Sequence, residues 1–343
     1  MNRRIGVAVV GCGHRPHAWS YARALSSSSA ATLVGIFDQD ADLGHSVADD
    51  FEAPYWSDLD SVWTCEQVEA VVVCSPTVAH RELLEQAAAH GLHVLCEKPI
   101  ATTLDDARAM VAACHGAGVQ LHTAFVTRFH PLVAHVRDAL TQGRLGDPIA
   151  MVAGNRGRPP LPPGYPAWIT SRQEAGGGAL IDHSVHLSDV IRHLSGREVV
   201  SVTAEVGAQL WSCGVDDVAL VSLVFEGGMV ASLDPSWSVP ESNPWDYDFT
   251  LRLVGTQGAL TVTDLAESLQ LVSSVSGGGQ RLVPFGEDVD TLMIEAFVAS
   301  IAAGEVLSPC ATGQDGLRAL EIALAAYASA ASRTRVTLPF ESG

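Results

Sequence analysis

The sequence predicts an α/β protein in which a doubly wound parallel sheet at the N-terminus is followed by an α+β domain with a large, mainly antiparallel sheet. As far as about residue 125, short apolar segments alternate with helical patterns, which is typical of parallel strands connected by covering helices. Beyond residue 196, alternating segments are separated by glycine-rich turns, as in antiparallel sheets. Since 343 residues exceed the usual size of one domain, we expect two, at 1–125 and 126–343.

The first domain is predicted from five apolar strands and the helices between them. Residues 5–10 form a continuous apolar run, which suits a strand that is buried on both faces. Similar strands are predicted at 32–37, 70–74, 92–96 and 119–123. Helices are predicted at 17–26, 40–51, 78–89 and 103–117, and Thr103 is the expected N-cap of the last helix.

The second domain is predicted to begin with helices and to continue as a sheet. Helices are expected at 129–141 and 184–195, with a strand at 148–155 and a stiff loop of five prolines within 159–166 between them. The segments expected to form the antiparallel sheet are 198–211, 215–226, 229–238, 247–254, 258–263, 268–275 and 280–284. Two helices, at 288–303 and 314–331, close the chain.

The composition excludes several classes of function. Asp and Glu number 39 against 20 Lys and Arg, a net charge of −19, so we expect neither a nucleic acid nor an anionic membrane surface as a partner. No apolar run reaches the roughly 18 residues that a membrane span needs, and the N-terminus lacks the pattern of a signal peptide. Seven cysteines without a Cys-x-x-Cys pair indicate a reducing compartment, and therefore a cytoplasmic protein with neither disulfides nor a structural zinc site.

Two kinds of basic residue are unevenly distributed. Lys98 is the only lysine, whereas the other 19 of the 20 Lys and Arg residues are arginines. Arginine does not give up its proton in a protein and has a bulkier head group, so we expect Lys98 to have a role that arginine cannot fill. All 13 histidines lie between His14 and His193, so any imidazole chemistry must come from the first 193 residues.

A dinucleotide site is predicted after the first two strands. Gly11 and Gly13 stand between a buried strand and a helix, where they allow a tight turn and close approach of backbone N–H groups to a pyrophosphate. Asp38 ends the second strand, where a carboxylate can bind ribose hydroxyls and would repel a 2′-phosphate, which favours NAD over NADP. Pro16 replaces the third glycine of this fingerprint, and Arg15 could pair with a phosphate. Together these features predict a Rossmann-type NAD-binding domain.

Further motifs follow the strands of this frame. They are Ser75-Pro76-Thr77-x-x-His80, Glu97-Lys98-Pro99, Arg128-Phe129, and Gly176-Gly177-Gly178 with Asp182 and His186 behind it. With these motifs the chain resembles, over nearly its whole length, the Gfo/Idh/MocA family, to which inositol dehydrogenases and glucose–fructose oxidoreductase belong. The chain departs from the family at Thr77 and Val126, where many members have asparagine.

The resemblance implies a site to which both domains contribute. Lys98, Asp182 and His186 match the family's catalytic residues. The residues predicted to bind the cofactor are Gly11, Cys12, Gly13, His14, Arg15, Asp38, Ser75, Pro76, His80, Glu97 and Lys98. The residues predicted to contact the substrate are Arg128, Trp168 and His183, and no metal is expected.

The chemistry of these residue types agrees with that implication. If the segment is helical, Asp182 and His186 share one face, and histidine suits the removal of a hydroxyl proton near neutral pH. A carboxylate orients the imidazole, and the ammonium group of Lys98 favours a developing alkoxide. The sequence therefore predicts hydride transfer between NAD and a hydroxyl-bearing carbon of a sugar or cyclitol.

Other interpretations stay open at this point. The same residues serve the reverse reaction, in which NADH reduces a keto sugar, and NAD-dependent cleavage of a glycoside. A non-catalytic dinucleotide-binding regulator is a further alternative. Asp182 and His186 could also be a helix-capping pair, or with His183 bind a metal. Because the open face of a broad sheet needs cover, we expect a homodimer or homotetramer.

Overall fold

The computed structural model of the protein describes residues 3–243, 246–263, 268–272, 280–284 and 288–340. The strands are β1 (Ile5–Val10), β2 (Ala31–Phe37), β3 (Tyr55–Trp56), β4 (Ala70–Val73), β5 (His93–Cys96), β6 (Leu121–Thr123), β7 (Pro148–Gly157), β8 (Val199–Gly207), β9 (Val218–Phe225), β10 (Val230–Asp234), β11 (Tyr247–Gly255), β12 (Ala259–Thr263), β13 (Ser268–Val272), β14 (Gln280–Pro284), β15 (Ala311–Thr312) and β16 (Val336–Thr337). The helices are α1 (Arg15–Ser27), α2 (Ala41–Ala48), α3 (Leu59–Trp63), α4 (His80–Ala89), α5 (Leu104–Ala117), α6 (Pro131–Thr141), α7 (Arg172–Ala175), α8 (Ala179–Ser195), α9 (Val289–Ala303) and α10 (Gly313–Ser332).

The first sheet confirms the predicted parallel, doubly wound arrangement. Its order is β15-β6-β5-β4-β1-β2-β3, and β1 to β6 all pair in parallel. β1 is buried along its whole length, as expected of a central strand with both faces covered. Thr103 caps α5 as predicted, because its side chain accepts a hydrogen bond from the backbone of Asp106. Since parallel strands end at one edge, the segments after β1, β2, β4 and β5 meet there.

The second sheet is antiparallel except for one pair. Its order is β12-β11-β7-β10-β9-β8-β16, and only β7 and β10 are parallel among its described pairs. Helix α8 contacts β7, β9 and β10 and buries the apolar side chains of Leu187, Ile191 and Leu194. The helix begins at Ala179 and not at residue 184, so it includes Asp182.

One prediction about the sheets is wrong, and three short strands were not predicted. The segments 268–275 and 280–284 were expected in the large sheet, but β13 and β14 pair with each other as a separate two-stranded sheet. An alternating pattern predicts a strand, but it does not specify the strand with which it pairs. The two-residue strands β3, β15 and β16 were not predicted, because so short a segment carries no periodic pattern.

The chain divides into two compact units. The first contains residues 1–129, 161–176 and 288–320, and the second contains residues 130–160, 177–287 and 321–343. The sequence predicts a single boundary after residue 125. The difference arises because residues 161–176 and helix α9 belong to the first unit. In that unit, α9 packs against α1.

Three features of the described residues bear on the predicted classes of site. None of the helices in the described ranges is long and apolar enough to cross a bilayer. The seven cysteines, all within described ranges, are free thiols. Among the residues that the structure describes, no three side chains of His, Cys, Asp or Glu are grouped in a way that could hold a metal ion.

Candidate active site

The Gly-x-Gly turn after β1 packs closely on the segment after β4. Gly11 has a φ of +83°, and a Cβ there would lie 2.7 Å from the backbone N of Ser75. A Cβ on Gly13 would lie 2.7 Å from Cδ of Pro76. Both glycines are therefore required by the packing of the turn. This packing brings the turn after β1 and the segment after β4 together at the carboxyl edge of the first sheet.

Asp38 lies beside this turn, at the end of β2. Its carboxylate accepts hydrogen bonds from the backbone N–H groups of Cys12 and, at 2.8 Å, Asp40. Each oxygen keeps a further lone pair, so the ribose hydroxyls of a dinucleotide could still donate to it. The Cys12 side chain is fully buried, and burial together with the charge of Asp38 raises its thiol pKa to about 12. Only the backbone of Cys12 is thus available for a cofactor.

The start of α1 differs from the prediction in one respect. The Arg15 guanidinium donates to the hydroxyl (3.0 Å) and the carbonyl (3.2 Å) of Ser46, so it is held against α2 and not directed to a phosphate. Pro16 lies in the first helical turn, where its missing N–H is tolerated. That turn has no acidic side chain, which keeps the helix N-terminus suited to an anion.

Trp168 lies at the cofactor turn, although it was predicted to contact the substrate. Its indole Nε1 donates to the carbonyl of Gly13 at 2.9 Å, and its ring lies edge-on to His14, with centroids 6.4 Å apart. The helix α7 that follows contacts the segment 77–79 after β4. Residues 161–176 therefore cover part of the cofactor edge, which their sequence does not indicate.

His80 and Thr77 occupy the turn after β4 in different ways. Both ring nitrogens of His80 lie 3.1 Å from backbone carbonyls, those of Ile100 and Ser75, and the ring is fully buried. Burial lowers the pKa of His80. These two contacts hold the turn, and the contact of His80 with the cofactor stays a prediction. The buried Thr77 Oγ1 has no hydrogen-bond partner among the described residues, so a polar atom is left for a ligand to satisfy.

The loop after β5 carries Glu97 and Lys98. Glu97 is 4% exposed, and its carboxylate accepts hydrogen bonds from the His17 ring (2.8 Å), the Tyr21 hydroxyl and the backbone N–H of Lys98 (3.0 Å). Burial opposes the charge of this carboxylate, but the charge and hydrogen bond of His17 outweigh burial and lower the pKa of Glu97. Glu97 is thus an anchored anion beneath the loop, while Lys98 is partly exposed.

Arg128, which is predicted to contact the substrate, makes several contacts within the first unit. The side chain is 6% exposed and donates to the carbonyls of Pro309 (3.4 Å) and Cys310 (3.3 Å). Its guanidinium also lies 3.4 Å from the carboxylate of Asp315. Arg128 therefore ties the turn after β6 to the segment that precedes α10.

In the second unit, the glycine run 176–178 shapes the start of α8. A Cβ on Gly177 would lie 2.1 Å from the hydroxyl of Tyr327, and one on Gly178 would lie 2.0 Å from the carbonyl of Asp216. Asp216 receives the backbone N–H of Gly178 (3.0 Å) and of Leu180 (2.8 Å), which caps the helix from a neighbouring loop. Gly177 and Gly178 are thus required for the position of α8.

Asp182 and His186 lie one turn apart on α8, as the spacing predicts. Asp182 Oδ2 accepts a hydrogen bond from the indole Nε1 of Trp237 at 3.0 Å and lies 3.2 Å from Nε2 of His183. His183 in turn bonds through Nδ1 to the carbonyl of Asn155 at 2.8 Å. His183 was predicted to contact the substrate, whereas its contacts hold Asp182. His186 is 7% exposed.

Trp237 and His17 were not predicted as site residues. Trp237 lies in a segment that reads only as part of an antiparallel strand, and His17 belongs to the polar pattern of α1. Neither has a spacing signal, because each acts on a residue that is distant in the sequence.

The features at the first sheet's edge fit a dinucleotide: a tight glycine turn, a helix N-terminus, a carboxylate after β2 and an unsatisfied hydroxyl at Thr77.

Comparison with known families matches both parts of the chain. Residues 5–125 match the domain described as an oxidoreductase family with an NAD-binding Rossmann fold. Residues 133–261 match the GFO/IDH/MocA C-terminal domain.

Individual relatives are similar over most of their length. Inositol 2-dehydrogenase of Rhizobium meliloti (strain 1021) is 29% identical, over 93% of this chain and 95% of that protein. The 1,5-anhydro-D-fructose reductase of Ensifer adhaerens is 33% identical, over 77% of this chain and 78% of that protein. Among solved structures, GenD2 from gentamicin A biosynthesis, in complex with NAD, has a TM-score of 0.89 at 27% identity and covers 99% of this chain and 98% of its own. A putative myo-inositol dehydrogenase from Sinorhizobium meliloti 1021 has a TM-score of 0.83 at 26% identity, covering 97% and 99%.

Proposed function

The chain belongs to the Gfo/Idh/MocA family of oxidoreductases, and from this membership we propose that it is an NAD(H)-dependent dehydrogenase acting on a hydroxyl of a sugar or cyclitol. The observation that carries the proposal is that each unit contains one of the two sets of residues that the reaction needs. The first unit has a dinucleotide edge that ends at Lys98, and the second presents Asp182 and His186 one turn apart on α8. Relatives named as inositol dehydrogenases support a cyclic polyol as the substrate.

The cofactor-binding residues proposed here are those of the first unit. The turn Gly11 to His14 and the N-terminus of α1 would hold the pyrophosphate, and Asp38 would accept the adenosine ribose hydroxyls. The carboxylate of Asp38 disfavours a 2′-phosphate, which supports NAD over NADP. When bound, the nicotinamide accepts the hydride from the carbon of the substrate. Residues 1–125 are therefore assigned to NAD binding, and 126–343 mainly to the substrate and to assembly.

The proton is handled by side chains of this chain. His186 takes the hydroxyl proton as general base, which is typically worth about 10²–10⁴-fold in rate. Asp182, held by Trp237 and His183, orients the imidazole and the substrate. The ammonium of Lys98 stabilises the negative charge that develops on the substrate oxygen.

A screen of cyclitols and sugars tests this proposal. The purified protein is mixed with each polyol and NAD, with NADP in parallel, and the absorbance of the reduced nicotinamide is followed. We expect steady NADH formation with at least one cyclic polyol and a kcat/KM at least tenfold lower with NADP. If no polyol or sugar supports reduction of either cofactor, and no keto sugar supports NADH oxidation, the protein is not such a dehydrogenase.

Reduction of a keto sugar is the second candidate. It is favoured by the similarity to a protein named as a 1,5-anhydro-D-fructose reductase, and the same proton-transfer residues would act as acids. The two directions are separated by comparing NADH formation from polyols with NADH oxidation by keto sugars at one pH. A larger kcat/KM for the keto sugars would assign reduction.

We further propose that the protein is a cytoplasmic homodimer or homotetramer. The free state of its seven cysteines supports a reducing compartment. Exposed aliphatic side chains on the second sheet support association of copies through that face. Val152 and Leu220 are each 57% exposed and Val230 is 48% exposed.

A further inference from the structure

A buried charged network joins α1 to the loop that carries Lys98, and the reaction proposed above leaves one member of it unused. His17 donates from Nδ1 to Oε1 of Glu97 at 2.8 Å, while the other Glu97 oxygen receives the backbone N–H of Lys98 at 3.0 Å. Tyr21, one turn after His17, donates its hydroxyl to the same oxygen as His17. Three donors thus converge on a single carboxylate, immediately before the only lysine of the chain.

The charges of this network constrain one another. Burial disfavours the charged His17 ring, but the negative charge of Glu97 and its hydrogen bond together outweigh burial, so the pKa of His17 is raised. Two more groups act on His17: Lys98, whose positive charge opposes its protonation, and Asp290 of α9, whose negative charge favours it. Two cations therefore share one buried anion. A change in the charge of His17 therefore changes the electrostatic energy of Lys98, which interacts with the same carboxylate.

We propose that His17 is a positioning residue for Lys98: its imidazolium binds one oxygen of Glu97 and fixes the loop after β5 from which Lys98 extends. The other oxygen of the same carboxylate holds the backbone of Lys98, so the lysine is positioned through Glu97. The role of Lys98 on the substrate rests on the proposed function, whereas the coupling of the two cations stands on the geometry of the resting protein.

The same network begins at the cofactor turn. The rings of His14 and His17 are 3.8 Å apart between centroids and tilted by 35°. His14 follows Gly13, whose carbonyl receives the indole of Trp168. A continuous set of contacts therefore leads from the glycine turn to Glu97. His17 is the side chain through which the two ends are connected.

The unique lysine makes the coupling measurable without turnover. Reductive methylation with ¹³C-formaldehyde labels Lys98 and the N-terminal amine only, and the Lys98 signal is identified by its loss in Lys98→Arg. Its chemical shift is followed as a function of pH in the whole protein without substrate. In the unchanged protein, we expect the Lys98 signal to show a second, smaller step where His17 loses its proton.

Two variants and two controls complete the test. In His17→Gln, the second step should vanish, because the group whose change of charge produces it is gone. In Glu97→Gln, the titration midpoint of Lys98 should fall, because a neighbouring negative charge is lost. Tyr21→Phe, which removes a neutral donor, and His115→Gln, at an exposed position on α5, should each keep the second step.

A kinetic comparison separates positioning from general loss of structure. With a substrate found in the screen, His17→Gln should lower kcat about tenfold while the Kd for NAD changes less than about threefold. A Lys98 signal that titrates in one step in the unchanged protein, or a second step that persists in His17→Gln, would overturn the inference. That result is independent of the screen, since failure of every polyol would refute the proposed function and leave the titration intact.

Discussion

His186 is the residue on which the proposed chemistry depends most directly. At 7% exposure its ring is almost enclosed by α8 and its neighbours, and Asp182 one turn earlier is held by Trp237 and His183. A base in such surroundings contributes to the transition state more than to binding. We expect His186→Ala to lower kcat by about 10²–10⁴-fold, with little change in the Kd for NAD, as measured by steady-state kinetics and fluorescence titration.

His135→Ala is the matched control for this variant. His135 is exposed on α6 and its ring bonds only to a backbone carbonyl of its own helix, Pro131 O at 2.8 Å. We expect its kcat to equal that of the unchanged protein. If His186→Ala keeps full turnover, the general base is another group and the assignment of α8 to proton transfer is wrong.

His122 makes the stability of the first unit dependent on pH. Its Nε2 bonds to Oε1 of Gln120 at 2.9 Å, whereas its buried Nδ1 has no hydrogen-bond partner among the described residues. Burial, with a smaller effect of His93, lowers its pKa from the ordinary 6.5 to about 4. The unfolded chain therefore binds a proton between these values when the folded chain does not. The free energy of unfolding consequently falls as the pH decreases from 6.5 to about 4.

Chemical unfolding at several pH values measures this effect. His122 alone should account for a loss of about 3 kcal/mol across the window, and His80, whose pKa burial also lowers, adds to it with the same sign. In His122→Leu, the slope of unfolding free energy against pH should decrease by roughly one proton's worth, whatever the variant's stability at pH 7. An unchanged slope would mean that His122 is protonated in the folded state.

At the scale of elements, the periodic patterns of the sequence were sufficient to predict the central strands and helices. They did not reveal the contacts between segments that are distant in the sequence. The central strands and the helices of the first sheet follow from apolar runs and caps, and the structure has them within a few residues of the predicted bounds. The start of α8 was predicted five residues late. Its true start is set by Asp216, which caps the helix from another part of the chain. Such a cap leaves no trace in the local sequence.

The candidate site, like the elements, was only partly predictable from the sequence. The motifs mark the segments Gly11 to His14, the Glu97-Lys98 loop and the start of α8 as the predicted site, but they do not say which side chains make contacts within the protein. Arg128 and His80 are polar residues in marked segments, and both are buried with hydrogen bonds to backbone carbonyls. Whether a polar side chain faces a ligand or its own backbone depends on tertiary packing. A single sequence does not contain that information.

The segment 161–176 is an element whose role emerges only from the structure. Its Trp168 indole holds the Gly13 carbonyl at 2.9 Å, so Trp168→Phe removes one hydrogen bond at the cofactor turn and keeps most of the ring. We expect the Kd for NAD to rise about 3- to 10-fold, since a neutral hydrogen bond contributes about 1 kcal/mol, while the substrate KM at saturating NAD stays constant. Calorimetry and kinetics measure the two quantities. A change confined to the substrate KM would return Trp168 to its predicted role in substrate binding.

At the scale of the whole molecule, we expect one face of the second sheet to determine how copies associate. On β7, Met151 and Ala153 are buried while Val152 between them is 57% exposed, so Val152 faces away from the core. Val152 pairs with Ser232 of β10, and Ser232 pairs with Ser222 of β9, so the three strands present one continuous face. Leu220 and Val230, two residues from these positions, extend the aliphatic surface on it.

This face predicts the outcome of a charge substitution. In Val152→Glu, two like charges would be brought together near the centre of a symmetric interface and lose their hydration there, so the oligomer should dissociate. Leu210→Glu is the control, because Leu210 is 51% exposed but lies in a loop outside the sheet. Sedimentation velocity should show two or four chain masses for the unchanged protein and for Leu210→Glu, and a smaller species for Val152→Glu. An unchanged mass in Val152→Glu would place the contact on another surface, and a monomeric unchanged protein would show that the exposed face needs no second copy.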